Sequence, residues 1–301
     1  MNSFNIDSNP DSNISKKIKQ ITDEIESLPT LPGVVSQIIE LTSDPKTSFK
    51  DLSRIISEDQ TLTARVLKLV NSAYYGFPRR ISTITHALII LGFNEIKNIT
   101  FATSILRTFG ESDNLGDFNR EEFWKHSLGC ALASKMLAKT LRYRISGQAF
   151  TAGLIHDIGK IILDQYLHKS FAQIIEKVQS ENISIREAEK DVLGITHAEI
   201  GAWLAKKWNL PAEIEEAIKF HHLPDKAIIN PQLTTIVHLS DILVRMESIG
   251  WGGDDKIPSV NPLVWDSLKP LKPDINESYI QYFTSIFETE IGKVHSLFDI
   301  L

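Results

Sequence analysis

The stretch TAGLIHDIGKIIL (residues 151–163) sets a histidine and an aspartate side by side inside an apolar run. Leu154, Ile155, Ile158, Ile161, Ile162 and Leu163 ask for a core. His156 and Asp157 do not belong in one unless something satisfies them, because an unpaired buried carboxylate costs several kcal/mol. A divalent cation would supply the charge that such a carboxylate lacks. Two ligands do not make a buried site, so others must converge from elsewhere in the chain.

The run reads as part of one helix, GQAFTAGLIHDIGKIIL, and the segments around it are helical too. ISKKIKQITDEIESL carries Ile14, Ile18, Ile21 and Ile25 at steps of three and four. LPTLPG (28–33) breaks it before VVSQIIELTSD. SFKDLSRIISED opens with Ser48 and Asp51 as a capping pair, and TLTARVLKLVNSA puts Leu62, Val66, Leu69 and Val70 on one face. ITHALIILG stops at Gly92, and FNEIKNITFATSILRTF follows. YYGFPRR (74–80) reads as a turn around Gly76 and Pro78. Beyond the polar stretch GESDNLGDFNR (110–120), REEFWKHSLGCALASKMLAKTL, SFAQIIEKVQSENIS, IREAEKDVLG, THAEIGAWLAKKWNL, PAEIEEAIKFHH and QLTTIVHLSDILVRMESI continue the pattern. No alternating run speaks for a strand, so the expected fold class is all-α. The expected division is a polar, disordered tail (1–20), an N-terminal helical subdomain (21–110), a second helical subdomain (111–249), and a loop with a C-terminal helix (250–301).

A net charge of −6 argues against nucleic acid as a partner. No apolar run approaches the roughly 18 residues of a membrane span, and the first twenty residues lack the apolar stretch of a signal peptide. A single cysteine, Cys130, excludes an internal disulfide and a cysteine-based zinc framework. All of this fits a reducing cytoplasm. A metal here has to be held by nitrogen and oxygen. Glu122 and His126 stand at i and i+4; His197 opens a helix; His221 and His222 close one; Asp241 lies inside the last core helix. With His156 and Asp157 they form a mixed imidazole and carboxylate set that suits iron, manganese, zinc or nickel better than calcium or magnesium. Cys130, one turn beyond His126, reads as a small core residue, and His86, His168, His238 and His295 have no partner at a telling spacing.

The order His126, His156-Asp157, His197, His221-His222, Asp241 resembles the HD superfamily of metal-dependent phosphohydrolases, and at the ligand level its HD-GYP phosphodiesterase branch. EFWKH is similar to that branch's Glu-x3-His, and HDIGK to its His-Asp followed by a lysine. The resemblance implies metal ligation by Glu122, His126, His156, Asp157, His197, His221, His222 and Asp241. It also implies a catalytic role for Asp157 and contact of Lys160 with a scissile phosphate. HHLPDKAIINP departs from it, because the Gly-Tyr-Pro loop is missing.

From about Leu28 to Leu243 the text instead resembles the HDOD domain, a signalling relative, through LPTLPGVVSQIIELTSDP, DLSRIISEDQTLTARVLKLVNSAYYG, AGLIHDIGKIIL and HAEIGAWLAKKWNLP. That implies a bacterial-type signal-transduction protein with an N-terminal helical half packed on an HD-like half. It would act through a protein partner or a nucleotide-like ligand and retain one or two divalent ions, iron ahead of manganese, nickel or zinc. The alternative is a metal-dependent phosphohydrolase or phosphodiesterase acting on a nucleotide or cyclic dinucleotide. Residues 250–301 receive no role from the sequence.

Overall fold

Helix punctuation decides how the N-terminal half turns back on itself. The computed structural model describes residues 33–43, 48–110, 118–144 and 146–298. Among them every regular element is a helix. The expected helix at 14–25, the tail and most of GESDNLG lie outside the described residues. In this half α1 is Gly33–Ser43, α2 Phe49–Glu58, α3 Gln60–Val70, α4 Ile84–Leu91 and α5 Phe93–Phe109. Ser48 and Asp51 form the expected capping box on α2, with Ser48 N–H donating to the Asp51 carboxylate at 3.0 Å. Asp59 ends α2 and caps α3, accepting from Leu62 N–H at 3.0 Å and pairing with Arg107 of α5 at 2.6 Å. Gly92 joins α4 to α5 at φ 83°, a conformation that costs a glycine little. Leu52, Ile55 and Ile56 of α2 and Leu62, Val66, Leu69 and Val70 of α3 are buried against α5.

The second half comprises α6 (Arg120–Thr140), α7 (Ser146–Ile155), α8 (Ile158–Tyr166), α9 (His168–Glu181), α10 (Ile185–Val192), α11 (His197–Lys207), α12 (Ala212–Phe220) and α13 (Pro231–Met246). A short α14 (Val264–Leu268) and a long α15 (Tyr279–Phe298) follow. Tyr75, from the turn at Gly76, donates to Glu95 of α5 at 2.6 Å, and Lys135 of α6 holds the same carboxylate at 2.6 Å, tying the halves together. Helix α6 runs between α7 and α13. Its approach to α7 needs Gly153, where a Cβ would lie 2.5 Å from Ser134 Oγ and 2.6 Å from the Cys130 carbonyl. No described helix is long and apolar enough to cross a membrane.

The expected single helix over 147–163 is two helices. It stops at Ile155 and resumes at Ile158, with Asp157 at φ −100° and ψ 8°. The cause is tertiary: α8 presses on α11 so closely that a Cβ on Gly159 would lie 2.0 Å from the His197 carbonyl. On one continuous helix, neighbouring side chains diverge by about 100°. The break lets His156 and Asp157 aim at a common point. Helix α14 likewise interrupts a stretch expected to be loop, while the expected C-terminal helix is present.

Candidate metal centre

Six helices deliver the polar groups to one place. His126 comes from α6, His156 and Asp157 from the junction of α7 and α8, His197 from the first residue of α11, His221 and His222 from the end of α12, and Asp241 from α13. The start of α11 is held by Glu199, whose carboxylate accepts from Thr196 N–H at 2.7 Å and from its hydroxyl at 3.1 Å. Glu216 of α12 accepts the N–H groups of Ile228, Ile229 and Asn230 at 2.6–2.9 Å and so fixes the approach to α13.

Asp157 is the centre of the arrangement. Its Oδ1 lies 3.1 Å from His197 Nε2 and 3.5 Å from His221 Nε2; its Oδ2 lies 3.3 Å from His156 Nε2 and 3.8 Å from His126 Nε2. His126 Nε2 is 3.1 Å from Asp241 Oδ1, and His197 Nε2 is 3.0 Å from His222 Nε2. Two groups of donors result, each with its atoms within 4.8 Å of one another: His126, Cys130, His156 and Asp241 on an inner side, and Asp157, His197, His221 and His222 on an outer side. All are buried except His222, which is half-buried.

The imidazoles are set up as ligands. His156 Nδ1–H donates to the Gly153 carbonyl at 2.8 Å and His221 Nδ1–H to the Ile218 carbonyl at 2.7 Å, which leaves each Nε2 with a free lone pair. Glu189 holds His197 from both ends, taking Nδ1–H at 2.7 Å and the backbone N–H at 2.9 Å. His156 Nε2, His221 Nε2 and Asp157 Oδ1 are buried acceptors with no hydrogen-bond partner. Three orphaned acceptors facing one another are a cation's complement.

Protonation states agree. Burial pushes His126 down, and takes His221 to about 4. Burial, with the neighbouring His221 and His197, holds His222 well below its ordinary value. For Asp157 burial works upward, but the charges of His156, Lys160 and His197 outweigh it and keep the carboxyl well below its usual range. Asp241 follows the same logic through Arg245. His197 alone is raised: burial opposes its charge, and the Glu189 carboxylate more than compensates. At neutral pH His126, His221 and His222 are therefore neutral and both aspartates ionised, the forms that bind a cation.

Lys160 is fully buried, its ammonium donating to Asp157 Oδ2 at 2.5 Å and to the Gly252 carbonyl at 2.6 Å. Arg245 plays the same part for Asp241 at 2.8 Å and also holds Asp254 at 3.0 Å. Each carboxylate thus has a buried counter-charge of its own. The carbonyl of Gly252 belongs to a strap, GWGGDD (250–255), that crosses the inner group. Trp251 N–H donates to the Glu122 carbonyl at 3.0 Å, Asp254 accepts from Ile185 N–H at 2.9 Å, and a Cβ on Gly250 would lie 2.3 Å from His126 N.

The structure brings together seven of the eight candidate ligands. Glu122 stands apart: its carboxylate pairs with Lys125 at 2.7 Å, its side chain is 38% exposed, and it belongs to neither group. Glu189, Arg245 and the strap are not among the residues the sequence singles out, and Cys130 reads there as core. His238, which had no partner in the sequence, is buried and donates from Nδ1 to the His221 carbonyl at 2.7 Å.

Comparison with known proteins agrees with this architecture. The HDOD domain family matches residues 28–224. An HDOD domain protein of unknown function from Geobacter sulfurreducens superposes with a TM-score of 0.85 at 26% identity, over 97% of this chain and 98% of the other. A Shewanella amazonensis protein, provisionally described as a phosphohydrolase, superposes with a TM-score of 0.73 at 24% identity over 95% and 98% of the two chains, a likeness of fold. An uncharacterized protein of Treponema pallidum is 27% identical over 233 residues, 77% of this chain and 45% of that protein. YuxH of Bacillus subtilis is 24% identical over 142 residues, 47% of this chain and 32% of YuxH. The chain therefore spans less than half the length of these two relatives. Helical architecture, motif order and the extent of the match lead to one assignment: the chain belongs to the HDOD family.

Proposed function

We propose that this chain is a bacterial-type HDOD signal-transduction module that acts by binding a protein partner or a nucleotide-like ligand and carries a divalent transition metal in its HD-type centre. The observation that carries the choice of module over enzyme is Lys160. The cation a phosphohydrolase would turn toward its substrate is wholly buried and committed to Asp157 and Gly252. The metal reading is supported by the orphaned His156, His221 and Asp157 atoms. His126, His156 and Asp241 would hold one ion, and Asp157, His197, His221 and His222 a second; these donors fit iron, nickel and zinc and suit manganese less, and iron is put first on the resemblance to the HD superfamily alone. A bound ion supplies Lewis-acid charge and lowers the pKa of water. Among the chain's own residues, Glu189 orients His197, Arg245 holds Asp241, and Lys160 holds Asp157. The N-terminal half, as the partner-facing subdomain, exposes Phe49, Ile89 and Ile90.

A second reading, a phosphodiesterase acting on a nucleotide or cyclic dinucleotide, is favoured by His222, the one partly exposed member of the two groups. Metal content per chain, followed by turnover of nucleotide phosphodiesters by the metal-loaded protein beside Asp157→Ala, separates the two. Full occupancy without turnover sustains the module. Turnover abolished by the substitution overturns it in favour of the enzyme.

A further inference from the structure

Cys130, the chain's single cysteine, is fully buried on α6 one turn beyond His126. Its Sγ lies 3.5 Å from His126 Nε2 and belongs to the inner group with His156 and Asp241. Packing alone asks only that a small apolar group fill the space. Here the sulfur instead faces a ligand nitrogen, and the unpartnered, fully buried His156 Nε2 is aimed into the same group. The spacing is that of two ligands on one ion. With about 2.3 Å to sulfur and about 2.05 Å to nitrogen, a tetrahedral ion separates the two atoms by about 3.6 Å. The corresponding separation for an imidazole nitrogen and a carboxylate oxygen is about 3.3 Å, and His126 Nε2 stands 3.1 Å from Asp241 Oδ1.

Access also distinguishes the two sides. Gly252 of the strap lies so close to the inner group that a Cβ there would be 3.3 Å from His126 Nε2 and 2.8 Å from Arg245 Nη2. The outer group contains no sulfur and includes the one partly exposed residue, His222. Structural sites are closed around their ion, while catalytic sites keep an open position.

Resting on the metal reading above, we propose that Cys130 is a thiolate ligand of the ion held by His126, His156 and Asp241. The inner subsite then adds a sulfur donor to the nitrogens of His126 and His156 and the oxygen of Asp241, beside the shared Asp157 Oδ2, and is selective for zinc, iron(II) or cobalt(II) over manganese. The outer subsite, with nitrogen and oxygen alone, is the exchangeable one. On loading, the S–H bond breaks, its electron pair becomes the sulfur–metal bond and the proton leaves to buffer, with no change of oxidation state. In the metal-free chain Cys130 Sγ and His126 Nε2 are in contact at 3.5 Å, while His126 Nε2–H faces Asp241 Oδ1 at 3.1 Å.

The test is a cobalt(II) titration of the full chain after chelator treatment, read by absorption. The expected result is a thiolate-to-cobalt charge-transfer band in the near ultraviolet that saturates at one equivalent. Cys130→Ser should abolish the band, weaken inner-site cobalt binding at least tenfold, and keep the d–d absorption of the outer site. Cys130→Ala, with far-ultraviolet circular dichroism on both variants, guards against a folding defect in either one. Cobalt bound without the band, or a band that survives in Cys130→Ser, overturns the ligand assignment and leaves the metal reading standing. A chain that takes up no cobalt overturns both.

Discussion

The two sides of Asp157 use nearly the same residue types and differ in what closes them. On the inner side His126, His156 and Asp241 lie under the Gly250–Asp255 strap, with Arg245 behind Asp241. On the outer side His197, with Glu189 behind it, and His221 are buried, and His222 is the one partly exposed member. Donor identity alone would assign both sides one chemistry. Closure assigns them different ones, because an enclosed ion is retained while an accessible one meets ligands. The comparison also shows that each side has a buried counter-charge of its own. Lys160 and Arg245 each neutralise one carboxylate, so neither aspartate waits for an ion.

The change expected to be largest removes the residue both sides share. Asp157→Ala leaves the Lys160 ammonium buried with only the Gly252 carbonyl, and breaking such a pair costs about 3–5 kcal/mol. Urea denaturation of the metal-free chain should show that loss, and elemental analysis should find the metal of both sides reduced. A loss under about 1 kcal/mol would mean that Lys160 reaches solvent, and the sealed inner side would go with it.

Next comes acid. His221 sits at about 4 in the folded chain against an ordinary 6.5, so between those values the folded state binds fewer protons than the unfolded one. Its contribution is complete above about pH 6.5 and falls as the pH drops toward 4, by up to about 3 kcal/mol from this group. His126 and His222 act in the same sense. His197 acts against it, because Glu189 raises it. Denaturation midpoints of the metal-free chain should therefore fall across this window. Glu189→Gln should make the fall steeper; a flat profile would show that the imidazoles are not enclosed.

Two further variants separate the sides. Gly252→Ala puts a Cβ 2.8 Å from Arg245 Nη2, and the adjustment should cost about 1–3 kcal/mol with its effect confined to the inner ion. Glu189→Gln keeps the shape but removes the anion behind His197. It should weaken outer-side metal binding about 10–100-fold while inner occupancy persists, measured by metal titration. If either variant disturbs both sides equally, the two groups behave as one.

What could be read in advance follows from the range of each contact. The ligand histidines and aspartates stood out as ionisable groups in apolar helices and in the order of a known family. Glu189 had a signal of its own: it shares the apolar stripe of α10 with Ile185 and Ala188, yet IREAEKDV reads as a solvated helix because charge surrounds it. Arg245, at i+4 from Asp241, was legible on the same grounds. The strap was not. Lys160 and Gly252 are 92 residues apart, and nothing local in GWGGDD marks it as a cover. The helix break at His156-Asp157 was hidden too, because the apolar period runs straight through it and the contact that interrupts it comes from α11.

Glu122 provides the smallest expected effect and the sharpest check on which side is closed. Its carboxylate shares Lys125 with Glu121, at 2.7 and 2.8 Å, on a half-exposed surface where such pairs contribute little. Its carbonyl matters more, since Trp251 hangs from it, and that group survives in Glu122→Ala. The variant should lose less than about 1 kcal/mol, chiefly the helix-dipole contribution of one acidic residue in the first turn of α6, and bind as much metal as the parent. Loss of inner metal alone would mean that the first turn of α6 swings its carboxylate inward when an ion binds. The strap, anchored to that same turn, would have to move with it, and the inner side would then be the one that opens.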